Sequence, residues 1–325
     1  MDHRLDLLGI GSYLPEARPV RELVLAAGGD PTTFDGWPVA RIASDEEQPS
    51  MMATAALKSA LGQAGISAAQ LSLVVSCGFS RDFLPTWSIA TEVMRLLAAP
   101  STCLGLDTTL GCVGVLSGLE LVRGWLATNG GGYAAIISAE KWSQTIDRKN
   151  GIPSLWAHGD GAGAAVVATN AAAKPLACYR GAAFSSNAEF NGLVLVKYGG
   201  TRHPIAPPGV DPFTRLVRDM APNELWKAYR AGYEQAFQRL GVRFGVTPRR
   251  VVCNQIAPRF VSVIAELAGI PGDRVCRTGE ENGHVGSADI LIGLQRLAEA
   301  SAIDGAIALA GSTPYTFGAA LIEAV

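Results

Sequence analysis

Short apolar runs and amphipathic stretches alternate along the whole chain. Runs at 5–10, 71–77, 133–139, 250–254, 306–310 and 317–325 are compact and apolar, the pattern of buried strands. Stretches at 51–63, 89–97, 223–240, 259–268 and 290–297 place apolar residues three and four apart, which predicts helices. Ser50 stands where it caps the first of these, and Gly65 where it ends it. The least regular part is 170–220, broken at Lys174-Pro175, Ala206-Pro207-Pro208-Gly209 and Asp211-Pro212. Strand and helix in alternation favour an α/β fold built in layers.

At the centre, an apolar run at 103–106 is broken at Gly111, and Val113, Leu116, Leu119, Val122 and Leu126 then recur at helical spacing. That is strand, sharp turn, helix, with Cys112 at the turn. The scheme occurs twice. Leu73-Val74-Val75-Ser76-Cys77 corresponds to Val251-Val252-Cys253-Asn254, and Ala134-Ala135-Ile136-Ile137-Ser138 to Ala306-Ile307-Ala308-Leu309-Ala310. Between the members of each pair sits a glycine turn opening a helix, at Cys112 in one case and His284 in the other. An internal duplication follows, with halves 1–170 and 171–325. If they pack about a pseudo-twofold axis, the two turns face each other.

Composition narrows the function. With 325 residues and 48% hydrophobic content, the chain can bury one large core or two medium ones. Lys+Arg 27 against Asp+Glu 29 gives a net charge of −2, with no basic block for nucleic acid to grip. No run approaches the ~18 apolar residues of a membrane helix, and the start, Met-Asp-His-Arg-Leu-Asp, lacks the basic-then-apolar pattern of a signal peptide. A cytoplasmic protein is expected. The six cysteines show no C-x-x-C spacing, which fits a reducing compartment and supports no metal site.

The candidate chemistry starts from Cys112. At a helix start the free N–H groups and the positive end of the helix dipole favour a thiolate, and hence a nucleophile. Inert packing is the other reading, because free cysteine is commonly buried. His284 reads either as a base or as a satisfied histidine at a helix start, and Asp289 either as its orienting carboxylate or as an acid favoured by the dipole. Asn254 either ends its strand or presents a polar group. Phe83, Trp87 and Met94 are candidates for an acyl pocket or for simple core, whereas His158 and His203 are expected in turns. Gly159 to Gly163 and Gly9-Ile10-Gly11 lack the form of a nucleotide fingerprint.

Four motifs, in order and across nearly the whole chain, resemble the β-ketoacyl carrier-protein synthase III branch of the thiolase superfamily. They are Asp107-Thr108-Thr109-Leu110-Gly111-Cys112-Val113-Gly114, Gly159-Asp160-Gly161-Ala162-Gly163, Asn254-Gln255-Ile256-Ala257 and Asn282-Gly283-His284-Val285-Gly286-Ser287-Ala288. The resemblance implies a thiolase-like fold of two pseudo-symmetric halves in αβαβα layers. It also implies an acyl thioester on Cys112. In that family a histidine stands at the position of Asn254 and an asparagine at that of His284, and the pair binds a malonyl thioester during decarboxylation. Here the two are exchanged.

Moving the imidazole changes which substrate atom is deprotonated, since the amide cannot take up a proton near neutral pH. Cys112, His284 and Asp289 together look like the synthase III-like acyltransferases of polyketide and antibiotic pathways. These move an acyl group without forming a carbon–carbon bond. The expected donor is an acyl carrier protein or acyl-CoA, and the expected acceptor a carrier-protein thiol or a small-molecule hydroxyl. Asn254 is expected to steady the oxyanion. No bound cofactor is expected, because phosphopantetheine or CoA arrives as part of the substrate. The resemblance further implies a homodimer, with the 103–106 region at its interface. The alternatives are a decarboxylating condensing enzyme and a non-catalytic partner of a heterodimeric synthase.

Overall fold

The computed structural model describes residues 4–84, 86–169, 171, 173–210, 215–217 and 222–325; Asp211 and Pro212, named above, lie outside them. Up to residue 169 the strands are β1 (Leu5–Tyr13), β2 (Glu16–Pro19), β3 (Val39–Ile42), β4 (Leu71–Ser76), β5 (Leu104–Asp107), β6 (Gly132–Lys141) and β7 (Asp160–Thr169). The helices there are α1 (Val20–Ala26), α2 (Pro49–Ala64), α3 (Ile89–Leu96) and α4 (Gly114–Thr128). Beyond it come β8 (Ala177–Ser186), β9 (Val194–Val196), β10 (Arg215–Val217), β11 (Arg250–Cys253), β12 (Val275–Cys276), β13 (Ala306–Ser312) and β14 (Thr316–Glu323). Their helices are α5 (Pro222–Phe244), α6 (Pro258–Leu267), α7 (Gly279–Asn282) and α8 (Ala288–Glu299).

Ten of the strands pair in the order β12-β11-β13-β14-β8-β1-β7-β6-β4-β5. Counted outward from the centre, β1-β7-β6-β4-β5 on one side answers β8-β14-β13-β11-β12 on the other, which is the duplication in three dimensions. The two sets join where β1 pairs with β8, from Leu5↔Tyr179 to Leu7↔Ala177.

The layers follow from which faces are apolar. Leu116, Leu119 and Val122 of α4 and Ile290, Leu291 and Leu294 of α8 share a core with Val75, Ile136, Leu309 and Ile322, strand residues of both sets. Met52 and Leu57 of α2, with Ile89 and Val93 of α3, cover the other face of the first five strands through Val74, Ile137 and Val166. Tyr233 and Leu240 of α5, with Val261 and Ile264 of α6, do the same for the second five through Val251, Ala308 and Leu321. The order is therefore α, β, α, β, α. Strands buried on both faces read as continuous apolar runs, as these do.

Gly9 and Gly11 are packing residues. A Cβ at Gly9 would lie 2.1 Å from the Ala60 carbonyl oxygen and one at Gly11 2.3 Å from that of Ala56, so α2 rests directly on β1.

Three expectations change. Ser50 does not cap α2: Pro49 takes the first helical position, and Ser50 lies inside the helix, donating from its N–H and hydroxyl to Asp82 at 3.0 and 2.6 Å. The irregular 170–220 segment contains β8. Its run of Ala, Gly and Ser residues carries no alternation, and pairing with β14 from Thr316↔Ser186 to Glu323↔Cys178 supplies the strand. The hairpin β2–β3 and helix α1 were also invisible in the apolar pattern, being short and largely exposed. Among the described residues no helix is long and apolar enough to cross a membrane.

Candidate active site

Cys112 sits on a single 3₁₀ turn, Gly111–Val113, that runs into α4. Gly111 takes φ +54°, which a side chain would disfavour. The helix start is pressed onto the end of β4: a Cβ at Gly114 would lie 2.3 Å from the Cys77 carbonyl oxygen. It is also capped across the duplication, since the Val115 N–H donates to Ser287 Oγ at 2.6 Å. Of the six cysteines, the other five are buried and Cys112 is half-buried. Burial pushes the thiols of Cys77 up to about 12 and of Cys178 and Cys276 up to about 11, which keeps them neutral.

The turn before α8 brings the histidine. Gly283 has φ +70°, and a Cβ there would meet the Ala157 carbonyl oxygen at 2.2 Å. His284 N–H donates to that same oxygen at 2.9 Å, and the Gly159 N–H donates to the His284 carbonyl at 2.9 Å. So pinned, the ring sets Nε2 3.3 Å from Cys112 Sγ and Nδ1 2.5 Å from Asp289 Oδ2. Asp289 is held in turn by the Val285 N–H on Oδ1 at 2.8 Å and the Gln255 N–H on Oδ2 at 2.7 Å. With a carboxylate beside it, Nδ1 carries hydrogen, and Nε2 is the atom that faces the sulfur. Burial alone would push the imidazole down, but the Asp289 carboxylate and the Cys112 sulfur outweigh it and hold His284 up at about 10.

Asn254 completes the group. Its Oδ1 accepts from the Ser312 N–H at 3.0 Å, and its Nδ2 donates to the Gly286 carbonyl at 2.9 Å. It thus ties the β13–β14 connection to the His284 turn and keeps a second amide hydrogen. Cys112 and the far-off His284 and Asp289 are joined by direct contacts, and Asn254 lies buried behind them on the neighbouring backbone.

A cavity of about 200 Å³ opens over Cys112 and His284. Phe79, Trp142, His158, Val194–Val196, Tyr229 and Tyr315 are among its lining residues. Phe83, Trp87 and Met94 do not line it. Trp87 and Met94 pack against the α2–α3 core, and Phe83 is exposed with its ring edge on Trp87. His158 is more than a turn residue: it is buried, and its ring meets that of His284 edge-on at 4.5 Å. Nothing local marks Phe79, Trp142 or Tyr229, which come from separate elements. His203 does lie in a turn, bridged to Gly200 and beside the Tyr198 ring. Among the described residues no group of His, Cys, Asp and Glu is placed to hold a metal ion.

Residues 106–180, which include Cys112 and Asp160, match the family model for 3-oxoacyl-[acyl-carrier-protein (ACP)] synthase III. A β-ketoacyl-[acyl-carrier-protein] synthase III of Sphingopyxis alaskensis is 27% identical over 340 aligned positions, spanning 99% of this chain and 100% of that protein. Over residues 106–180 the chain is thus similar to the synthase III family. Acetoacetyl CoA synthase NphT7 of Streptomyces sp. (strain CL190) is 34% identical to this chain over 218 residues. That match spans 65% of the chain and 64% of the relative, less than two thirds of its length. Among solved structures, Xanthomonas campestris OleA with bound lauric acid and lauroyl-CoA superposes with TM-score 0.84 at 18% identity, over 99% of this chain and 100% of that one. The 3-oxoacyl-[acyl-carrier-protein] synthase III of Aquifex aeolicus gives 0.81 at 22%, over 98% and 99%. The fold of this protein is thus the thiolase fold.

Proposed function

We propose that this synthase III-like protein is an acyltransferase that takes an acyl group from an acyl carrier protein or acyl-CoA onto Cys112. It then delivers the group to a carrier-protein thiol or a hydroxyl in polyketide-type secondary metabolism. The observation that carries this reading is the contact of His284 Nε2 with Cys112 Sγ, with Asp289 behind the ring and an amide, Asn254, where the family places its histidine.

The two half-reactions balance on one proton. An imidazolium beside the sulfur favours the thiolate, which attacks the thioester carbonyl. The tetrahedral intermediate collapses, the carbon–sulfur bond to the pantetheine arm breaks, and the leaving thiolate takes the proton from His284 Nε2. The Cys112 charge is now gone, and with it one of the forces that raise the imidazole. Neutral His284 then accepts the proton of the acceptor thiol or hydroxyl as that group attacks acyl-Cys112. The free amide hydrogen of Asn254 and the N–H groups at the α4 start serve the oxyanion. Pantetheine enters and leaves with the substrates, so the protein itself contributes residues alone.

The relatives' names favour a second reading, decarboxylative condensation, and a silent partner subunit is a third. Intact-protein mass spectrometry with a panel of acyl thioesters tests the first step. The proposal expects an acyl adduct on the wild type and none on Cys112→Ala. No adduct with any donor would favour the silent partner. We further assign a cytoplasmic homodimer. The edge position of β5, with Leu104 and Leu106 partly exposed, supports it.

A further inference from the structure

One wall of the cavity is held by a residue that takes no part in the proton transfers. Glu140, near the end of β6, is fully buried, and its carboxylate accepts three hydrogen bonds from a single loop. The Phe79 N–H donates at 2.9 Å, the Ser80 N–H at 3.1 Å and the Ser80 hydroxyl at 2.9 Å. The Ser80 oxygen accepts in turn from the Lys141 N–H at 2.9 Å, closing the loop onto the strand. The Phe79 ring consequently lies flat on Trp142, with centroids 5.1 Å apart and planes within 4°. Trp142 meets His158 edge-on at 5.6 Å, and His158 meets His284.

The other side of the clamp is the histidine turn itself. Gly286 takes φ +62°, and a Cβ there would lie 2.8 Å from Glu140 Cγ and 2.9 Å from Trp142 Nε1. Burying a carboxylate is costly, and burial pushes this one up to about 7 although its hydrogen bonds pull the other way. A carboxylate buried at such cost fixes the position of something, and what it fixes is the Phe79–Trp142 wall. Phe79 keeps 40% of its surface open, so it is the part of the wall an acyl group meets. Among the described lining residues of the cavity there is no Lys, Arg, Asp or Glu, and the His284 ring, which also lines it, gives up its proton when Cys112 is acylated. A charged acyl group held on Cys112 would then be desolvated with no opposite charge to pair it.

Resting on the acyl-Cys112 reading, we infer that the Phe79–Trp142 stack is the specificity-determining wall. It restricts the acyl group to compact, uncharged ones, with Glu140 as the residue that positions it. Removing the Phe79 ring opens the wall. Removing the carboxylate frees the loop that carries it.

The test is competitive loading of Cys112 from acetyl-, butyryl-, succinyl-, octanoyl- and lauroyl-CoA, read by intact mass. The wild type is expected to load acetyl and butyryl well ahead of lauroyl, and butyryl ahead of its charged counterpart succinyl. Phe79→Ala and Glu140→Gln are expected to shift the lauroyl-to-butyryl ratio upward by roughly tenfold or more, the scale of pocket discrimination by a few methylenes. Phe79→Tyr, which keeps the ring, should keep the wild-type ratio. A purely structural role for Glu140 would slow all donors alike and leave the ratio unmoved, and that result overturns the inference. So does a wild type that loads lauroyl or succinyl as fast as butyryl. A wild type that forms no adduct with any donor instead overturns the acyl-transfer reading, and the inference falls with it.

Discussion

His284 sits between a sulfur at 3.3 Å and a carboxylate oxygen at 2.5 Å, and each of these contacts has its own consequence. The sulfur side sets the nucleophile. Cys112→Ala should abolish both adduct and turnover, whereas Cys77→Ala and Cys253→Ala should keep the adduct, because those thiols are buried. Labelling of another cysteine by iodoacetamide with parallel loss of activity would show that the nucleophile had been misassigned. The carboxylate side sets the tautomer. His284→Ala should slow discharge of acyl-Cys112 to the acceptor by roughly 10²-fold or more, the usual worth of a general base. Asp289→Asn should give a milder form of the same defect, measured by single-turnover discharge of the preloaded enzyme. The places of Cys112 and His284 were readable from glycine turns and an internal repeat, that of Asp289 from its position five residues beyond His284, and that of Asn254 only from the family's motif. Phe79, Trp142 and His158 were not, because their role is created only when separate elements converge.

At the scale of elements, small residues decide how closely helix meets strand. Even Gly9→Ala would place a Cβ 2.1 Å from the Ala60 carbonyl, so α2 must move off β1. The expected loss is about 1–3 kcal/mol, read from the midpoint of urea unfolding. A midpoint equal to the wild type's would mean that α2 does not rest on β1 as described. The pair Gly9 and Gly11 is visible in the sequence, but its partner helix is not, which is why a packing device could be weighed there only as a poor nucleotide motif. Strands with clear apolar runs, such as β4 and β13, were legible. Strand β8 was not, for its Ala, Gly and Ser residues become a strand only through the partners on either side.

The whole molecule carries a pH dependence with a definite sign. His284 is raised from an ordinary 6.5 to about 10, with burial opposing the Asp289 and Cys112 effects that dominate together. A raised folded-state value binds the proton more tightly than the unfolded chain does. Its stabilisation is therefore fully present below 6.5 and lost as pH rises toward 10. Glu140, raised by burial from 4.5 to about 7, acts in the same direction at lower pH. The melting temperature should accordingly fall between pH 7 and 10, and Asp289→Asn should flatten that fall; an equal slope in both proteins would contradict the assignment. Assembly is tested separately: light scattering at micromolar concentration should report a dimer, and a monomer would remove β5 as an interface. A layered α/β fold was legible from alternation alone, the αβαβα arrangement only through the family resemblance, and the order of the sheet only from the strand pairing itself.

The central claim is that acyl groups are transferred here without carbon–carbon bond formation, with His284 serving the acceptor. The most direct measurement follows carbon dioxide and acyl product together in one reaction, with an acyl thioester donor and a malonyl thioester both present. The account predicts acyl transfer with no carbon dioxide released in proportion to it, and transfer that His284→Ala slows by roughly 10²-fold. Carbon dioxide released in step with product, lost in His284→Ala while acyl transfer persists, would contradict it.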